Sequence, residues 1–165
     1  MKLLYYPDKF LEKNLGHVDI DAIDIDLVEA KEHMTELMLK HRGVGLSANQ
    51  VGIDFPLFVM GNDKNNIVMV VNPVIKTVSE TSSIHREGCL SFPGIYVNVK
   101  RPNLISVMYW DENLEKHEIS MDGYSARVFL HEYDHLNGIT FRDRVSKLRW
   151  DMAVKKKNKK YTNGR

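Results

Sequence analysis

The sequence predicts an α+β fold in a single domain. Two stretches carry apolar residues at helical spacing, and short β-branched runs bounded by turn residues lie between them. A chain of 165 residues with 43% apolar and 27% charged side chains suits one globular core. The first helix is expected over residues 22 to 42, where Leu27, Ala30, Met34, Leu37 and Met38 form one stripe. Asp21, Asp24 or Asp26 can cap its start, and Gly43 and Gly45 end it. Residues 56–60 (PLFVM) and 67–71 (IVMVV) read as strands, with Asn72-Pro73 as punctuation. Residues 104–110 and 115–121 read as a hairpin around Asp111-Glu112-Asn113. A second helix follows Asp122-Gly123, since Tyr124, Val128, Leu130, His131, His135 and Leu136 recur near helical spacing, and Asn137-Gly138 supplies its stop. With no internal repeat, the chain divides into a body, residues 1–150, and a basic, flexible tail, residues 151–165.

Charge and cysteine usage bound the class further. The net charge of +1 conceals an asymmetry: residues 147–165 hold eight Lys or Arg against Asp151 alone, a net of +7, which leaves −6 on the remainder. A basic end on an acidic body suggests a polyanionic partner for that end only. The body lacks the basic stripe or stacking aromatics of a sequence-specific nucleic-acid protein. Pro7 and Asp8 interrupt the N-terminal apolar stretch, and no later run approaches the roughly 18 residues a membrane span requires, so a cytoplasmic, membrane-free protein is expected. The one cysteine, Cys89, forms no intramolecular disulfide and is a buried hydrophobe, a reactive thiol or a metal ligand.

The strongest chemical signal is His131-Glu132-Tyr133-Asp134-His135. Histidines four apart share one helix face and can place two imidazole nitrogens on one metal, with Glu132 beside them to reach its water. The plain alternative is an exposed helix turn with two unrelated histidines. Two protein ligands under-hold a metal, so a third is needed. The metzincin pattern runs on to Gly138 and then fails, because Phe141 stands where its last histidine belongs; Asp143 and Asp151 are weak downstream candidates. Upstream, Glu87-Gly88-Cys89-Leu90-Ser91 offers the lone thiol in a glycine-containing turn. Cysteine with two histidines leaves one position open, the ligand count of a catalytic site.

Three ordered motifs, GVGLSANQ at 43–50, EGCLS at 87–91 and HEYDHLNG at 131–138, carry a resemblance to the peptide deformylases, metal-dependent hydrolases, over about residues 4–145. Two positions depart from the family pattern: Ser47 replaces the usual alanine, and Leu130 replaces a common glutamine, which bears on one hydrogen bond near the metal. The resemblance implies small mixed or antiparallel sheets packed around a central helix carrying the His-Glu-x-x-His motif. It implies hydrolysis of the N-formyl group on the initiator methionine of nascent chains, releasing formate. Cys89, His131 and His135 would hold one divalent metal, Fe(II) in cells, with Zn, Ni or Co as substitutes in purified protein. Glu132 would serve as general base and acid, with the Gln50 side chain and the Leu90 N–H stabilising the oxyanion. Val44, Gly45 and Gly88 would pair with the substrate backbone, and Val128 and Tyr124 would wall the methionine pocket.

Two other readings remain at this stage. One is another small metallo-amidase or peptidase built on the same helix. The other is a non-catalytic relative that binds nascent peptide or ribosome. The basic tail is expected to contact ribosomes, or to be solvated charge alone, and Trp150 just ahead of it is able to pack on the body.

Overall fold

A computed structural model describes residues 1–162, with side chains as far as Lys159. Strands β1 (Gly45–Ser47), β2 (Leu57–Met60), β3 (Val68–Val78), β6 (Leu104–Trp110) and β7 (Lys116–Asp122) form one antiparallel sheet in the order β1-β2-β3-β6-β7. Strands β4 (Ser82–Gly88) and β5 (Tyr96–Pro102) form a separate antiparallel pair. Helices are α1 (Leu27–Lys40), α2 (Gly123–Leu136) and α3 (Lys147–Thr162).

Helix α1 starts where Asp26 accepts the Glu29 N–H at 2.9 Å, which selects one of the three candidate caps and removes residues 22–26 from the expected helix. Leu27, Ala30, Met34 and Met38 bury the predicted stripe. The helix ends through Arg42 in the left-handed region (φ 58°), with the Gly43 N–H returning to the Met38 carbonyl at 2.9 Å. Asn72-Pro73 does not terminate its strand. The register of β3 against β6 shifts between Val71 and Val74, so the pair sits at a bulge, where a proline needs no ladder donor. Asn72 (φ 49°) uses the bend to bind Val18 through both its carbonyl and its amide.

The principal core lies among α1, α2 and the five-stranded sheet, with Leu46, Leu57, Phe58, Val59, Met69, Val71, Ile105 and Phe129 buried together. A second cluster, Phe92, Ile95, Val97, Val99 and Phe141, is covered by Trp150, Ala153 and Val154. These contacts correct the expected flexible tail: as far as Thr162 the segment is helix α3. Trp150 packs edge-on to both Phe92 and Phe141, each at 5.8 Å between ring centroids. Trp150, Ala153 and Val154 anchor the helix while Lys155, Lys156 and Lys159 stay exposed, a weak sequence pattern with a firm packing result. Residues 163–165 of the expected tail lie outside the described residues.

Candidate metal centre

Helix α2 places His131 and His135 one turn apart on its buried face, with Glu132 between them. Strand β4 ends at Gly88 and delivers Cys89 to the same point, although 46 residues separate it from His135. Cys89 Sγ lies 3.3 Å from His135 Nε2, and one ligand atom each from Cys89, His131 and His135 falls within 4.8 Å of the others. Asp143 and Asp151 are not drawn in. Asp143 accepts from the Thr140 N–H and hydroxyl at 2.9 Å, and Asp151 pairs with Lys147 at 2.8 Å.

The ring of His131 is oriented from behind. Its Nδ1 lies 3.1 Å from Glu87 Oε2, which leaves Nε2 for a metal. Arg101 clamps Glu87 through Nε at 2.9 Å and Nη2 at 3.0 Å, and reaches Asp134 Oδ2 at 2.7 Å. Arg127 adds a bond to Glu87 Oε1 at 2.7 Å, and Arg144 closes on Asp134 from the other side. Glu87, Arg101, Arg127 and Asp134 are all buried, so this network ties β4 and β5 to α2 directly behind the ligands. Glu87 and Asp134 stand in the sequence motifs with no role evident from spacing, and Arg101 and Arg127 lie outside the motifs. The signal for them in the sequence is the glutamate two residues before Cys89, since metal-bound histidines ordinarily need a carboxylate or carbonyl partner.

Electrostatics agree with a cation at this point. Burial opposes charge on His131, yet hydrogen bonds with Cys89 and Glu87 outweigh it and hold the imidazole pKa up at about 10. Burial, reinforced by the charges on His131 and Arg101, pushes His135 well below the ordinary histidine range. Both imidazoles must be neutral to ligate, so a metal bound here would take the place of the proton that His131 otherwise holds. Burial pushes Glu132 up to about 7 against the pull of His131 and Arg101. Its Oε2 and the Nδ1 of His135 are buried without a hydrogen-bond partner among the described residues. A thiol, two imidazoles and an unpartnered carboxylate oxygen fit a divalent metal with one open position.

Burial alone would raise the Glu87 carboxyl, but hydrogen bonds from His131 and Arg101 reverse this and hold it far below the ordinary 4.5. A depressed folded-state pKa stabilises the fold above the unfolded value and loses that contribution as pH falls through the folded one. In chelator-treated protein, the urea midpoint should fall on acidification below about pH 4.5, and Glu87→Gln should cost about 3–5 kcal/mol at pH 7 by stranding buried arginines. Midpoints measured from pH 3 to 7 check this, because the gap between the two proteins should shrink toward acid. A constant gap would refute the role of the carboxylate charge.

A cavity of about 560 Å³ opens beside these ligands and is lined by Val44, Gly45, Gln50, Gly88, Cys89, Leu90, Tyr124, Val128, His131 and Glu132, among others. It brings together every residue expected at the site except His135, which is fully buried behind it. Gly45 must be glycine here, because an added Cβ would overlap the Glu132 carboxylate. Gln50 is fixed by the Ser47 N–H on its Oε1 at 2.9 Å, and its Nε2 faces Cys89 Sγ at 3.3 Å and Ser91 Oγ at 3.1 Å. A backbone N–H makes the main contact, so the change at Ser47 spares it. The Leu90 N–H has no partner among the described residues. Leu130 packs in the principal core, so a glutamine there would bury an amide among apolar side chains.

The family model for polypeptide deformylase matches residues 1–150. A peptide deformylase of Thermotoga maritima is 43% identical over 127 residues, 77% of each chain. Peptide deformylase 1B, chloroplastic, of Oryza sativa is 39% identical over 150 residues, 88% of this chain and 55% of that one, so this chain spans about half the length of the rice relative. The solved structure of a peptide deformylase from Synechococcus elongatus in complex with actinonin aligns with a TM-score of 0.86 at 37% identity, covering 95% of this chain and 85% of that one.

Proposed function

Because the chain belongs to the polypeptide deformylase family, we propose that it hydrolyses the N-formyl amide of formyl-methionyl peptides with a metal held by Cys89, His131 and His135. The observation that carries this reading is the convergence of those three ligands beside Glu132 at the wall of an open cavity. A divalent cation in that ligand set supplies a nucleophile at neutral pH, since it lowers the pKa of its water from 15.7 to about 7. Glu132, with a pKa near 7, takes a proton from the attacking water and delivers it to the leaving nitrogen as the C–N bond breaks. The products are formate and a free amine. The Leu90 N–H and the Gln50 amide face the carbonyl oxygen as it gains charge, and losing one such donor costs roughly 2.7–4 kcal/mol of barrier. Gln50 Nε2 turns from its contacts with Cys89 and Ser91 to do so. Val44, Gly45 and Gly88 offer backbone to an extended peptide, and Val128 and Tyr124 flank the methionine side chain.

Iron(II) is the proposed working metal and zinc, nickel or cobalt its substitutes, because thiolate with imidazole accepts all of them. Formate release from formyl-Met-Ala-Ser, with metal analysis of the same sample, tests the reading. Cleavage of the unformylated peptide instead would favour a metallopeptidase. No helix among the described residues is long and apolar enough to cross a membrane, and a cytoplasm of bacterial type is the proposed compartment.

Helix α3 adds a partner to the proposal. It carries Lys147, Arg149, Lys155, Lys156, Lys157 and Lys159 on an acidic body and is the surface proposed to meet ribosomal RNA. A chain ending at Val154 keeps Trp150, Ala153 and Val154 on the second cluster, so it should retain activity on short neutral peptides. Its cosedimentation with ribosomes should weaken, and the full chain should lose roughly 0.9 log units of affinity per log unit of salt for each phosphate neutralised. Equal binding and equal salt slopes for the two chains would leave α3 as solvated charge.

A further inference from the structure

Resting on the deformylase reading, we infer that the mouth of the cavity selects formylated peptides with an acidic side chain in the two residues that follow formyl-methionine. The acidic side chains that line the cavity, Glu87 and Glu132, are both buried, and Glu87 is already bonded to Arg101 and Arg127. Of the three arginines that line it, Arg127 is buried on Glu87, and the other two are placed differently. Arg42 and Arg86 are exposed, and neither has a carboxylate partner among the described residues. Lys157 of α3 lies against Gly94 at the same rim. The rim is thus cationic, while the chain outside residues 147–165 carries −6.

Register places these charges along the substrate path. In β4 the burial alternates, with Arg86 exposed, Glu87 buried and Gly88 exposed. Arg86 and Gly88 therefore share one face, and Arg86 stands about 6.6–6.8 Å farther along it, two residues from Gly88. Gly88 adjoins the ligand Cys89, so a peptide laid strand-like along Gly88 with its formyl group at the metal runs toward Arg86. The Arg86 guanidinium rests 4.3 Å from the Tyr96 ring centroid, which holds it at the rim. On the opposite wall Gly45 touches Glu132, and Arg42 lies three residues back from it, away from the reacting end. A carboxylate on either of the next two residues meets a guanidinium, and a lysine there meets like charge.

The test measures kcat and KM for metal-loaded enzyme on formyl-Met tripeptides carrying Asp, Ala or Lys at the second or third position, at low and high salt. Wild type should favour Asp over Lys by about threefold to tenfold, the sum of two exposed ion pairs, mainly through KM and less at high salt. Arg42→Glu with Arg86→Glu should invert that order, and Arg86→Gln alone should reduce it. Each variant is read by its own Asp-to-Lys ratio, so a general loss of active protein leaves the readout intact. Equal values for the three peptides, or a ratio unmoved in the variants, would overturn the inference. Formate from none of the peptides would overturn the deformylase reading instead.

Discussion

Replacing Cys89 by alanine is expected to strip the protein of its metal and abolish turnover. His131 and His135 are the remaining donors, and Asp143 and Asp151, the alternatives visible in the sequence, are engaged with Thr140 and Lys147. Removing an outer-sphere partner of a metal ligand typically lowers affinity 10–100-fold, so removing the ligand itself should lower it by more than about 100-fold. Metal content after gel filtration, measured beside formate release, checks the expectation. The fold should survive, since Cys89 follows β4 and stands at the margin of the second cluster rather than within it. Stoichiometric metal and near-normal turnover in Cys89→Ala would sink the three-ligand site.

Glu132→Gln should do the reverse, keeping the metal while turnover falls by about 10²–10⁴-fold. The amide has nearly the shape of the carboxylate, so it fits the space that Gly45 leaves open. It cannot accept a proton from water. His131 keeps its bond to Glu87 and Cys89 keeps its place near His135, so the ligands stay arranged. Loss of metal in this variant would make Glu132 a ligand, and retained turnover would assign the proton to another group.

Leu130 illustrates a boundary between what is local and what is not. As a letter beside His131 it suggests a missing hydrogen bond near the metal, yet its side chain belongs to the principal core and His131 takes its partner from β4. The tail is a second case. Its lysines read as solvated chain, whereas Trp150 docks it by packing against Phe92 and Phe141. Phe141, which appears from spacing only as an absent histidine, proves to be a wall 5.9 Å from the His131 ring centroid.

The sequence by itself determined helices α1 and α2, the hairpin of residues 104–110 and 115–121, the pairing of His131 with His135 and, through the ordered motifs, the chemistry expected of Cys89, Glu132 and Gln50. Those features follow from spacing along one element, 3.6 residues per helical turn or two per strand step, and spacing is written in the chain. Only the tertiary structure decided that β4 brings Cys89 to α2, that Glu87, Arg101 and Asp134 lock the ligands from behind, and that α3 packs on the second cluster. It also decided that Arg42 and Arg86 face one cavity. These are hydrogen bonds and contacts between residues distant in sequence, selected by which buried polar groups find partners when the elements pack, and no local period encodes that choice.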